Sequence, residues 1–232
     1  MTVLVQLKFL NSKLQGKAYF KMNHKHTHIA EDGITRCWWC KDHLDYRKYH
    51  DEEWGRPVSN DFQLFEKICL EGFQSGLSWL TILRKRENFR EAFAGFDFMK
   101  IAVYDDKDVV KLLQNSGIIR HRGKIEATIN NARCALELVE EFGSLAAYIW
   151  QWEPASPELQ FREAKYSQPI PSITKTSQLL SRDLKIRGWK FFGPTTAYAF
   201  MQAMGLVNDH VEGCAIRKIV KNIRSKFVPT NL

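Results

Sequence analysis

Apolar residues recur at helical spacing along most of this chain. Asn60 and Asp61 cap a run carrying Phe62, Phe65, Ile68, Cys69 and Phe73, which stops near Gly76. Ser78 opens a second run, with Leu80, Ile82 and Leu83, that ends in the basic cluster Arg84-Lys85-Arg86. Asp105–Asp106 starts a short one through Val109, Val110, Leu112 and Leu113, closed by Gly117. A longer periodic stretch covers Gly123 to Phe142, and a short one Leu145 to Trp150. Residues 152–174 are rich in proline and read as a loop. Ser177 to Arg187 is helical again, and a glycine-bounded turn from Gly188 to Gly193 leads into a helix from Thr195 to Met204. No segment sustains period-two alternation with turn signals, so the pattern predicts an all-α fold without a sheet.

Composition narrows the class. With 232 residues, 44% of them hydrophobic, the chain has material for one compact domain or two small lobes sharing a core, and global disorder is excluded. No apolar run reaches the ~18 residues of a membrane span, and Lys8 interrupts the N-terminal stretch too early for a secretory signal. Five unevenly spaced cysteines do not make a disulfide scaffold and suit a reducing compartment, with thiols free to bind metal.

The net charge of +8 raises the expectation of a polyanionic partner. It is concentrated at the ends: six basic residues face two acidic ones before residue 37, and five basic residues face none beyond 216. Residues 1–36, with His24, His26 and His28 in a polar stretch and Met22 as a second start, therefore read as a flexible basic extension. Residues 37–216 read as the functional domain and 217–232 as a basic tail.

Three spacings suggest a metal: Cys37-x2-Cys40, Cys37-x12-His50 and His210-x3-Cys214. His and Cys four apart lie on one helical face, and zinc takes four sulfur and nitrogen ligands in a closed structural set. Cys37, His50, His210 and Cys214 make such a set, with Cys40 as a rival ligand. Gly188 to Ala203 has the form of a helix-hairpin-helix, which aims backbone N–H groups at a phosphate, with Lys185, Arg187 and Lys190 beside it. Arg120 to Lys124 is a second basic candidate. Trp38, Trp39, Tyr46, Tyr49, Trp54 and Trp79 offer flat surfaces on which an extruded base can stack, and Glu71 lies in an apolar run where a carboxylate needs a partner or a task.

Taken in order, Cys37, Tyr49-His50-Asp51-Glu52-Glu53-Trp54-Gly55, Phe65 to Gly72, Gly76-Leu77-Ser78-Trp79, Gly117 to Ile125, and Phe200 to His210 resemble the DNA-3-methyladenine glycosylase I family of the helix-hairpin-helix superfamily. The resemblance spans about residues 37–214. It implies an all-α glycosylase fold with two helical lobes and a structural zinc on Cys37, His50, His210 and Cys214 joining the N- and C-terminal parts. It also implies Glu71 as the catalytic pocket carboxylate and Trp39, Tyr46, Tyr49, Trp54 and Trp79 as base-binding walls. Gln74, Gly76 and Leu77 match the segment that enters the duplex, with Lys190, Gly193 and Thr195 at the phosphate contact.

The implied reaction is hydrolysis of the N-glycosidic bond of 3-methyladenine in alkylated double-stranded DNA. The expected protein is a monomer of the bacterial cytoplasm, nucleoid-associated when acting. Methylation at N3 makes the base cationic, so it leaves neutral without a general acid. Thr195 stands where bifunctional relatives carry a lysine, which implies a monofunctional enzyme that leaves an abasic site. Asp209 is expected at a helix cap or beside the metal. The rival readings are a zinc-stabilised damage sensor without catalysis and a zinc hydrolase, which would need an open coordination position.

Overall fold

The computed structural model describes residues 26–155 and 170–229. Helices account for nearly all the regular structure: α1 (Leu44–Glu52), α2 (Asp61–Gln74), α3 (Trp79–Arg84), α4 (Arg86–Ala92), α5 (Phe98–Ile101), α6 (Asp106–Gln114), α7 (Arg122–Phe142), α8 (Leu145–Trp150), α9 (Lys175–Ile186), α10 (Pro194–Ala203) and α11 (Ala215–Arg224). Their starts follow local chemistry. Asn60 accepts from Gln63 N–H at the head of α2, Ser78 caps α3, and Asp105 forms a capping box with Asp108 on α6. Asp61 does more than open its own helix: its carboxylate accepts from Leu145 N–H at 3.1 Å and Ala146 N–H at 2.8 Å, capping α8 across the fold.

Helix α2 is central, packing against α3, α7, α8 and α10. It carries Leu64, Phe65, Ile68, Leu70 and Phe73 into the core, where Phe73 meets Phe89 and Phe93. Helices α9 and α10 form a tight pair whose turn is fastened to α7. Asn130 Nδ2 donates to Gly188 O, Asn131 Nδ2 donates to Lys190 O, and Lys190 N–H donates to Asn131 Oδ1. At Gly205 (φ +79°) a side chain would meet the Arg56–Pro57 backbone at 2.5 Å, so only glycine lets these segments pass.

Two sequence expectations are corrected. A small sheet exists: β1 (Thr27–Ile29) pairs antiparallel with β2 (Thr35–Cys37), Thr27 opposite Cys37. Three-residue strands are too short for alternation to show, but Asp32-Gly33 between them is a turn signal. The boundary drawn before Cys37 therefore cuts through a hairpin, and residues 26–36 are not a loose extension. Arg36 is buried and forms ion pairs with Asp32 and Asp51, both at 2.8 Å. His28 is engaged by Asp42, while His24 and Met22 lie outside the described residues. No helix among the described residues is long and apolar enough to cross a membrane.

Candidate functional site

The single helical turn Trp38–Cys40, α1, α2, the start of α3 and α10 each contribute side chains to one site. There they enclose a cavity of about 210 Å³ lined by Trp39, Tyr46, Tyr49, Trp54, Glu71, Gln74, Trp79, Ile170, Ala199 and Gln202. All five aromatic residues singled out for base binding meet here, with Glu71. Trp38 points outward instead, 51% exposed. The walls brace one another: Trp39 lies 4.9 Å from Tyr46 and 5.0 Å from Trp54, and Tyr49 lies 5.3 Å from Trp79, between ring centroids. The volume is below the ~300 Å³ of sites for drug-sized ligands, a space for a single heterocycle.

Its polar groups are few. Glu71 is 6% exposed. The Trp79 indole N–H is buried with no hydrogen-bond partner among the described residues. Burial raises the Tyr46 phenol to about 12 and lifts Tyr49 well above its ordinary range, so both are O–H donors at neutral pH.

The residue that sequence reasoning missed is Lys67. One turn before Glu71 and 2% exposed, it places Nζ 2.9 Å from Glu71 Oε1, 2.8 Å from the Tyr49 hydroxyl and 3.2 Å from the centroid of the Trp79 ring. Part of the Trp79 face assumed to be open to a base is thus already covered by a cation. The signal was available, since a lysine and a glutamate four apart inside an apolar run form a buried i,i+4 pair.

Cys37, His50, His210 and Cys214 come together as a buried cluster whose ligand atoms all lie within 4.8 Å of one another. His210 Nδ1 is 3.2 Å from His50 Nε2, 3.7 Å from Cys37 Sγ and 3.6 Å from Cys214 Sγ, and Cys214 Sγ is 3.6 Å from His50 Nε2. Four donors converging without protein groups between them can hold a metal ion. The outer nitrogens are fixed too: His50 Nδ1 lies 2.7 Å from Asp51 Oδ1 and His210 Nε2 lies 3.0 Å from Trp54 O. Cys40, the rival ligand, is turned away and donates its thiol to Cys37 O. Cluster and cavity share a wall, because Trp39 and Trp54 pack on His50 and His210.

Asp209, next to His210 of the cluster, accepts from the Tyr198 hydroxyl and from Nε2 of the cavity residue Gln202. Gly76, at φ +81°, and the 42% exposed Leu77 form the turn between α2 and α3 beside the cavity residue Gln74. Lys190, Gly193 and Thr195 are exposed together at the head of α10, where no side chain caps the helix. The basic candidates divide. Lys124 is buried, donating to Phe73 O and Ser75 O, and Arg187 is held by Asp183 and Glu141, so neither is spare for phosphate.

A family model described as methyladenine glycosylase matches residues 39–218. DNA-3-methyladenine glycosylase 1 of Escherichia coli (strain K12) is 49% identical over 181 residues, covering 78% of this chain and 96% of that protein. The DNA-3-methyladenine glycosylase of Haemophilus influenzae is 46% identical over 180 residues, with 78% and 96% covered. Among solved structures, a single-site variant of 3-methyladenine DNA glycosylase I in complex with 3-methyladenine is similar at a TM-score of 0.70. It is 31% identical, over 78% of this chain and 97% of that one. With a match across more than three quarters of its length, the chain belongs to the methyladenine glycosylase family.

Proposed function

We propose that this protein is a DNA glycosylase that hydrolyses the N-glycosidic bond of 3-methyladenine in alkylated double-stranded DNA, acting as a monomer and leaving an abasic site. The observation that carries the reading is the cavity: five aromatic walls and a buried carboxylate around a space for one heterocycle. Family membership supports it, as does the relative solved with 3-methyladenine bound.

The reaction follows from the substrate. The methylated base is cationic in the nucleotide and leaves as a neutral molecule, so the protein must extrude it, sort it and stabilise the sugar cation that forms. Aromatic walls hold the flat ring, with cation–π attraction worth ~0.5–2 kcal/mol per contact. Glu71 opposes the positive charge, and the Trp79 N–H and Tyr46 hydroxyl read the ring edge. Gln74 at the end of α2 and the turn residues Gly76 and Leu77 after it would occupy the gap left in the duplex. The uncapped head of α10, at Gly193 and Thr195 beside Lys190, is the phosphate contact of a helix-hairpin-helix between two helical lobes. Thr195 offers no amine for attack on C1′, which supports a single hydrolytic step. Work on chromosomal DNA supports a cytoplasmic, nucleoid-associated setting.

The metal is proposed as zinc. Ligands at ~2.3 Å for sulfur and ~2.0–2.1 Å for nitrogen, set tetrahedrally, lie ~3.3 Å apart between nitrogens and ~3.6 Å between nitrogen and sulfur. The nitrogens of His50 and His210 stand 3.2 Å apart and the sulfur–nitrogen distances are 3.6–3.7 Å. A closed Cys2His2 set supplies cross-linking, tying β2 and α1 to the segment before α11, and not chemistry on the substrate.

The test is release of free 3-methyladenine from methylated duplex DNA, followed by chromatography, with Glu71→Gln and Trp79→Ala in parallel. Release by the parent chain and its loss in both variants is expected; no release at any protein concentration overturns the reading. Borohydride treatment during turnover should trap no covalent protein–DNA adduct.

A further inference from the structure

Behind the cavity, the Lys67 ammonium is in contact with three of its walls at once: Glu71, Tyr49 and Trp79. Each of these is a group through which the cavity would attract a cationic base. With Lys67 protonated, the Glu71 carboxylate is already neutralised and part of the Trp79 π-face already faces a positive charge. With Lys67 neutral, the same cavity carries the full charge of Glu71. We propose that Lys67 sets the charge of the base cavity, so that the preference for a cationic over a neutral base is gained when Lys67 gives up its proton to solvent. The inference rests on the proposed base-binding role of this cavity.

The surroundings make this a balanced device. On its own helix Lys67 faces Glu71; from α1 it faces Tyr49, from the residue just after α1 Glu53, from α3 the Trp79 ring, and from α4 Arg86. Arg86 is itself paired with Glu53 and Glu66, so its charge is largely answered elsewhere. Burial is the largest influence and pulls Lys67 down, while Glu71 pulls it back up, leaving it at about 8. A cationic base brought against Glu71 pushes it lower still, and reciprocity then requires that losing the proton favours that base.

Lys67 is a positioning and specificity residue, not a catalytic one, since it reaches the base through its neighbours. The experiment measures equilibrium binding of two duplexes from pH 6.5 to 9.5. One carries 3-methyladenine on a 2′-fluoro sugar, which keeps the cationic base and blocks its release. The other carries the 3-deaza analogue, with the same shape and no charge. For the parent chain the ratio of affinities, cationic over neutral, should rise about tenfold between pH 7 and pH 9, as the competent neutral-lysine fraction grows from roughly a tenth to nearly one.

Lys67→Met should hold the ratio at its high value throughout, and Lys67→Arg, which keeps its charge, at the low value. Parallel loss of both affinities with an unchanged ratio would mean a merely structural lysine and overturn the proposal, as would identical pH profiles for the parent and Lys67→Met. If neither modified duplex binds better than undamaged DNA, the base-binding reading of the cavity falls, and this inference with it. Base release that persists while the ratio stays flat removes only the role of Lys67.

Discussion

The Cys/His cluster and the base cavity share the Trp39–Trp54 wall, yet they solve the burial of polar groups in opposite ways. In the cluster, four donors face one another in an arrangement that could hold a cation. In the cavity, Glu71 has its cation built into the same helix, and a ligand competes with what is already there. With the proposed zinc, the first arrangement would tie stability to a metal; the second ties recognition to a proton. The difference lies in what brings the groups together: His210 and Cys214, expected on one helical face, lie in the non-helical segment before α11 and meet Cys37 and His50 through packing, whereas one turn of α2 carries both Lys67 and Glu71.

The largest effect of a single substitution should come from the cluster. His210→Ala should lower the metal content, by elemental analysis after dialysis, from one equivalent to none. It should also destabilise the fold by about 3–5 kcal/mol in denaturant titration, the cost of stranding buried partners. On the cavity side, Glu71→Gln should slow base release about a hundredfold in single-turnover assays, in the range seen when one preorganised electrostatic group is lost.

The resident lysine leaves its own mark on stability. Its folded pKa lies below its unfolded value, so the unfolded chain binds more protons between about pH 8 and 10.5. The contribution of Lys67 to stability should therefore rise with pH across that window, by at most about 1.4 kcal/mol per unit. Against the opposing slope of the buried tyrosines and cysteines, the difference in urea stability between the parent and Lys67→Met should show it. Asp51→Asn, one bond removed from the metal through His50, should weaken metal affinity about tenfold in chelator competition. Smallest of all, Cys40→Ala should keep one equivalent of metal; emptying of the site would show that Cys40 and not its neighbour is the ligand.

The hairpin sharpens a further point about the basic N-terminus. Truncation before Cys37 removes β1 and Arg36, and with them the pairing that holds Cys37 and Asp51 in place. Truncation before His26 spares both. If the N-terminal charge acts only on DNA phosphates, the shorter cut should weaken duplex binding mainly at low salt and leave base choice unchanged.

Much of this molecule was written locally. Caps at Asn60, Ser78, Asp105 and Ser144 start helices through hydrogen bonds to backbone two or three residues on, and such signals survive without any tertiary context. The four residues of the Cys/His cluster were legible because a metal demands particular atoms, and few residue types supply them. The aromatic walls and Glu71 stood out for the same reason, as groups with little cause to lie where they do. Only the tertiary structure decided what those groups meet. It turned Cys40 away from the cluster, spent Lys124 and Arg187 on internal partners, and closed a hairpin too short for alternation to reveal. It set the Lys67 ammonium against Trp79 and Tyr49, residues that come from two other helices. Local bonding rules fix where elements begin and which atoms are chemically able; which charge sits beside which is settled by packing, over separations in sequence that no local pattern reports.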